Sequence, residues 1–228
     1  MKFRNQLTQI LSLILFSFVV LMAIRLSLYE FYKTDFSNLT TSEFYASLLM
    51  GFRVDMITIF TFSSVFVLLL LFVKSPRTRG LIGIVWALIL TTIFILSFSD
   101  VLYYDYIHRH MSNELFNLGS DTDIITGMAF GSMLPYTLGA FILSAIFLYV
   151  VYKIFTHRPR HFISGKQLFI TTLVVVLVLF IGIRNNFLGK GFGTSDAYAV
   201  DKVSSGNLAL NGFLPCIEPL NLLQNTIL

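Results

Sequence analysis

Five long apolar runs alternate with shorter polar stretches along the 228 residues, at about 7–24, 56–73, 81–98, 133–152 and 168–183. About 20 apolar residues of helix cross a hydrocarbon core about 30 Å thick, so each run predicts a membrane-spanning helix. The fifth, LFITTLVVVLVLFIGI, is rich in β-branched residues, but an unbroken apolar run between charged flanks predicts a helix in lipid, where backbone groups must pair internally. Residues 74–80 alone join the second and third runs, which forces an antiparallel hairpin. Trp86 inside the third run reads as packing. Thr40-x-x-Glu43 forms a capping box, so a helix starts near Thr41 and runs into the second span. Pro135 falls in the first turn of the fourth, where a missing N–H costs little. The expected fold is all-α: a polytopic membrane protein with five transmembrane helices (domain 1–183), short external amphipathic helices and an external tail (184–228).

Between the third and fourth runs lies the most polar stretch, DVLYYDYIHRHMSNELFNLGSDTD, residues 100–123. As a helix it aligns Tyr103, Ile107, Met111 and Leu115 in one apolar stripe and sets Asp105 four residues before Arg109, the favourable order for a helical ion pair. Tyrosines at the end of a span predict an interfacial element. Asp123 can cap a second short helix through Ile124 and Met128, ending near Gly131. At the mouth of the second span stands Gly51-Phe52-Arg53-Val54-Asp55. Charges this close to a span pair or face water. Arg53 and Asp55 are therefore either markers of the membrane edge or members of an external polar cluster with Asp100, Asp105 and Arg109, able to meet lipid headgroups.

Composition agrees, with 56% hydrophobic and 12% charged residues, well below the roughly 25% charged of soluble proteins. Charge placement predicts an orientation. Lys2, Arg4, Lys74, Arg77, Arg79, Lys153, Arg158, Arg160 and Lys166 fall in three segments without an acid, and every acid lies on the other side. The positive-inside rule then gives a cytoplasmic N-terminus and an external C-terminus. Topology is a sufficient cause of the basic loops, so membrane lipids and no nucleic acid are the expected partners. The first run is longer than a signal peptide's and lacks a small-x-small cleavage site, so it reads as an uncleaved helix.

Catalytic constellations are thin. Cys216 is the single cysteine, His108 and His110 are two apart on different helix faces, and Pro159 interrupts His157 and His161. No catalytic residue, metal site or cofactor is therefore expected in the chain. Gly189 to Ser195, GKGFGTS, lacks the GxxxxGK[ST] spacing and a preceding strand. The glycine- and asparagine-rich tail carries apolar anchors, Leu208, Leu210, Leu214, Ile217 and Leu220, and predicts an extended segment packed over the membrane domain.

Three pieces carry a resemblance: Gly51-Phe52-Arg53-Val54-Asp55 entering span two, Asp100-x4-Asp105-x3-Arg109 after span three, and Ala197-Tyr198-Ala199 followed by Leu208-Ala209-Leu210-Asn211-Gly212-Phe213. With the five-span topology, the chain resembles the N-terminal membrane module of the lipoteichoic acid synthase family. The resemblance implies a phosphoglycerol transferase, or a phosphoethanolamine-type one, of the alkaline phosphatase/sulfatase superfamily in a bacterial cytoplasmic membrane. It also implies an external catalytic domain that would follow Leu228 and hold a divalent metal (Mn2+, Mg2+ or Zn2+). The family's nucleophilic threonine and metal ligands have no counterpart in these residues, so the expectation is a module truncated or split from its catalytic half and inactive alone. Two other readings are a stand-alone membrane scaffold or regulator and, disfavoured by spans with almost no buried charge and no broken-helix pair, a small transporter subunit.

Overall fold

The computed structural model describes residues 6–110, 127, 130–131, 134–157, 162–163, 165–185, 193–198 and 202–213. Every regular element among them is a helix: α1 (Gln6–Phe31), α2 (Thr41–Phe72), α3 (Pro76–Ile107), α4 (Leu134–Thr156) and α5 (Gly165–Arg184), then the short α6 (Thr194–Ala197) and α7 (Val203–Ala209). The first five are long and apolar enough to cross a membrane, so the protein is an all-α, multi-pass membrane protein.

Local chemistry sets the helix ends. Thr40 and Glu43 form the capping box that starts α2. Pro76 opens α3 after the N-cap Ser75, where its missing N–H has no intrahelical use. His108 (φ 50°) and Asn185 (φ 48°) close α3 and α5 in the left-handed conformation common past a helix C-terminus. The cap at His108 corrects the sequence expectation of one helix over 100–123. Helix α3 ends at Ile107, and Arg109 lies beyond the cap rather than one turn above Asp105 on the same helix. Met111, Leu115 and Asp123 lie outside the described residues, as do Leu214, Ile217 and Leu220. Gly127 and Phe130 are helical.

Helices α1, α2 and α3 pack on one another, with α4 against α3 and α5 against α2. Their shared core includes Leu13, Leu21, Ile59, Leu70, Trp86 and Leu90. Trp86 is fully buried, stacks on Phe66 and donates its ring N–H to Ser63 Oγ at 3.0 Å, the packing role its position predicts. Gly182 of α5 lies so close to the Phe60 ring that a Cβ there would overlap it.

Buried charged and amide side chains gather at two levels. At the base, Gln6, Gln9 and Arg79 are withdrawn from solvent; at the head end, where α1 and α3 finish and α2 begins, so are Arg25, Asp55 and Asp100. Gln6 to Arg25 is about 28 Å along α1, and Arg79 to Asp100 about 31 Å along α3, at 1.5 Å per residue. Both match a hydrocarbon core of about 30 Å. The helices run on past the head-end level, which is why they exceed the apolar runs read from sequence.

Candidate functional site

Arg25 sits six residues before the end of α1, with apolar neighbours on both sides in sequence. Its guanidinium meets Asp55 of α2 in a bidentate pair, Nη1 to Oδ2 at 2.5 Å and Nη2 to Oδ1 at 2.9 Å. The remaining donors reach the carbonyls of Gly51 (3.1 Å), Leu208 (3.1 Å) and Ala209 (3.2 Å). The side chains are 2% and 1% exposed, so the pair needs this full set of partners to offset desolvation. Gly51 is required here, since a Cβ would fall on the Arg25 guanidinium. The Leu208 and Ala209 carbonyls lie in the last turn of α7, whose C-terminal acceptors have no intrahelical donor. Arg25 thus ties α1 to α2 and caps the tail helix.

Asp100 of α3 centres the second half of the cluster. It meets His110 Nδ1 at 2.5 Å, and His110 Nε2 lies 2.6 Å from the Asn207 carbonyl. Both ring nitrogens therefore face acceptors, and the doubly protonated imidazolium is the form that donates to each. Burial works against the charge and Arg25 repels it, but the Asp100 carboxylate, by charge and hydrogen bond, and the Asn207 carbonyl raise the His110 pKa above its usual 6.5. The Asn207 side chain accepts from Tyr198 Oη at 2.8 Å and donates to Tyr104 Oη at 3.3 Å. Burial pushes the Tyr198 phenol up, keeping it neutral and able to donate. Asn211 Nδ2 donates to Asp55 Oδ1 at 3.0 Å and to Thr58 Oγ1 at 3.2 Å, so the tail segment from Asn207 to Asn211 bonds to both halves.

The tail is therefore built into the head end. Residues 205–212 are all buried. Leu208 packs with Leu28, Phe36, Val101 and Tyr104, and Leu210 with Val54, Ala197 and Ala209. Ser205 Oγ shares a 2.5 Å hydrogen bond with Ser47 Oγ, and Lys202 reaches Glu43 at 2.8 Å. Gly212 lies against Asp100 with no room for a Cβ. The tail forms short helices here, where the sequence predicted an extended segment, because α7 can cap its carbonyls on Arg25.

The residues expected from sequence to form one polar cluster are brought together only in part. Asp55 and Asp100 stand in the network above. Arg53, two positions from Asp55, turns to α5, its Nη2 donating to the Asn185 carbonyl at 2.8 Å, while Asn185 Nδ2 donates back to the Arg53 carbonyl at 2.9 Å. Arg109 is exposed, its guanidinium 3.5 Å from the His110 carbonyl. The Asp105 side chain lies outside the described residues. Arg25, His110, Asn207 and Asn211 were not singled out for the cluster by sequence. A usable signal existed for Arg25: a lone cation with Leu21 and Leu28 on its helix face asks for a buried counter-charge.

The cluster encloses a space of about 10 Å³ bordered by Arg25, Ser97, Asp100, His110 and Asn211, enough for about one water and too small for a substrate. No group of three or more His, Cys, Asp or Glu with metal-binding geometry occurs among the described residues. Chemically, the head end is a polar clasp that fixes the tail on three helices, with Ser97 Oγ buried beside the enclosed space and without a hydrogen-bond partner. No family model, curated protein or solved structure matches the chain.

Proposed function

We propose that this chain is the membrane-anchoring module of a phosphoglycerol or phosphoethanolamine transferase of the lipoteichoic acid synthase type. Its head end faces the outside of a bacterial cytoplasmic membrane, and a separate sulfatase-like domain or subunit supplies the chemistry. The observation that carries the reading is the clasped tail. Residues 202–213 return over the ends of α1, α2 and α3 and are fixed there by buried charge-assisted hydrogen bonds. A segment held this rigidly sets whatever it bears at one height above the lipid.

Headgroup transfer needs an activated nucleophile and stabilisation of the charge on the transferred group, commonly by metal ions. The head-end groups are committed to one another instead, which suits a platform. Holding a catalytic domain beside its lipid substrate raises their effective concentration without touching the reaction.

The test uses purified chain, labelled phosphatidylglycerol and Mn2+, alone and with a sulfatase-like domain expressed separately from the same genome. Turnover only with the added domain is expected; turnover by the chain alone above a heat-killed control refutes the platform reading. The orientation is tested with introduced cysteines and an impermeant thiol reagent on intact cells. Sites near Lys74 and Lys153 should stay protected and one near Asp121 should react.

A further inference from the structure

We propose that the clasp binds one internal water molecule, held between α1 and α3 and bridging Arg25, Ser97 and Asp100. The inference stands apart from the transferase reading. It starts from Ser97 of α3, which is 1% exposed and whose Oγ has no hydrogen-bond partner. A serine inside a helix commonly donates to the carbonyl four residues back. Ser12, Ser17, Ser27, Ser47 and Ser144 all do so, at 2.7–2.9 Å. Ser97 forgoes that bond and borders the small space at the head end. A hydroxyl buried there is costly unless something in the space bonds to it.

The walls supply the other partners a water needs. Ser97 and Asp100 are three apart on α3 and therefore share one face, and both border the space together with Arg25 of α1. Arg25 Nη1 carries two N–H groups and gives one to Asp55 Oδ2. Its second N–H is the donor to the water oxygen. The water donates in turn to the Asp100 carboxylate, which has acceptor sites enough to take it beside His110. With the Ser97 hydroxyl the water makes three hydrogen bonds, the usual number for a buried one. It ties α1 to α3 directly, whereas Arg25 itself bonds to α2 and the tail and Asp100 to His110.

Size and charge both select the occupant. The space of about 10 Å³ accepts one water-sized sphere, the least that a water requires. The four charged groups of the clasp, Arg25 and the His110 imidazolium against Asp55 and Asp100, sum to zero. A metal cation would add charge beside Arg25 and His110, and an anion would meet two carboxylates. A neutral molecule with both donors and acceptors fits, and only water is small enough.

The test is X-ray hydroxyl-radical footprinting of the full chain in lipid nanodiscs, since a bound water yields radicals in place and oxidises side chains that bulk water does not reach. Leu21 and Leu28 border the space and Leu13 and Leu90 do not, and all four are at most 2% exposed. Oxidation of Leu21 and Leu28 should exceed that of Leu13 and Leu90 several-fold. Ser97→Val, whose methyl groups take up the space, should remove the excess. Ser97→Ala, which keeps the space and takes away the hydroxyl, should lower it. Equal oxidation of the four leucines in the unaltered chain overturns the proposal without any variant. So does an undiminished excess in either folded variant. A melting temperature that rises with sodium chloride but not with choline chloride at equal ionic strength would assign the space to a cation and overturn it as well.

Discussion

Arg25 and Arg79 are both buried, one at each end of the membrane core, and opposite means hold them. Arg25 meets a carboxylate on another helix and carbonyls of the distant tail. Arg79 is held by no carboxylate among the described residues. Its Nη1 donates to the carbonyls of Leu70 (2.7 Å) and Val73 (3.1 Å), and its Nη2 to Gln9 Oε1 at 2.8 Å. Leu70 and Val73 are the C-terminal acceptors of α2, where the helix dipole favours a cation. Arg79 is thus mainly a local cap of the α2–α3 hairpin, whereas Arg25 joins segments far apart in sequence. Losing either removes hydrogen bonds, but only losing Arg25 strands a buried charge.

The largest expected effect follows from that asymmetry. Arg25→Met should destabilise the protein by about 3–5 kcal/mol, the cost of leaving Asp55 buried without its cation. Thermal melting in detergent reads the loss, and limited proteolysis should show residues 202–213 released. Adding Asp55→Leu should recover part of it; a double variant no better than Arg25→Met would place the stability in the tail carbonyl bonds instead. Arg79→Met should cost less, at most about 3 kcal/mol, because it removes donors from carbonyls and leaves no charge behind. An Arg79 effect equal to that of Arg25 would erase the contrast between the ends.

Gly212→Ala pushes a methyl group onto Asp100 and should cost about 1–3 kcal/mol, with the tail freed while α1–α5 stay folded. The pH dependence is gentler. A histidine whose folded pKa is raised stabilises fully below its unfolded value of 6.5, and that contribution is lost as pH rises through the folded value. Protection of the tail from protease should therefore weaken as pH climbs above 6.5, and His110→Gln should flatten the profile. A tail that tightens over that range would contradict the imidazolium assignment. Smallest of all, Arg53→Gln should cost about 1 kcal/mol and add to Arg25→Met within about 0.5 kcal/mol, since Arg53 bonds to Asn185 beside α5 and Arg25 to Asp55 and the tail. Strong coupling would return Arg53 to the same cluster as Asp55.

The sequence by itself determined the five helices, the capping box at Thr40 and Glu43, the tight hairpin through Pro76 and the packing of Trp86. Each follows from residues close along the chain: a run of apolar side chains, or a cap three residues from its partner. It also marked Asp55 and Asp100 as polar groups needing partners, because an acid beside a span is costly wherever it points. Which partners they take was decided by tertiary structure. Arg53 and Asp55 are two apart on a helix and point to different faces, so Asp55 turns inward to Arg25 while Arg53 turns to Asn185 on α5. The bond from Arg25 to Leu208 spans 183 residues, and that from His110 to Asn207 spans 97. No periodicity or spacing encodes contacts at such separations. They arise because helix packing brings the ends of α1, α2 and α3 together around buried charges, and the tail supplies the acceptors and donors those charges still lack.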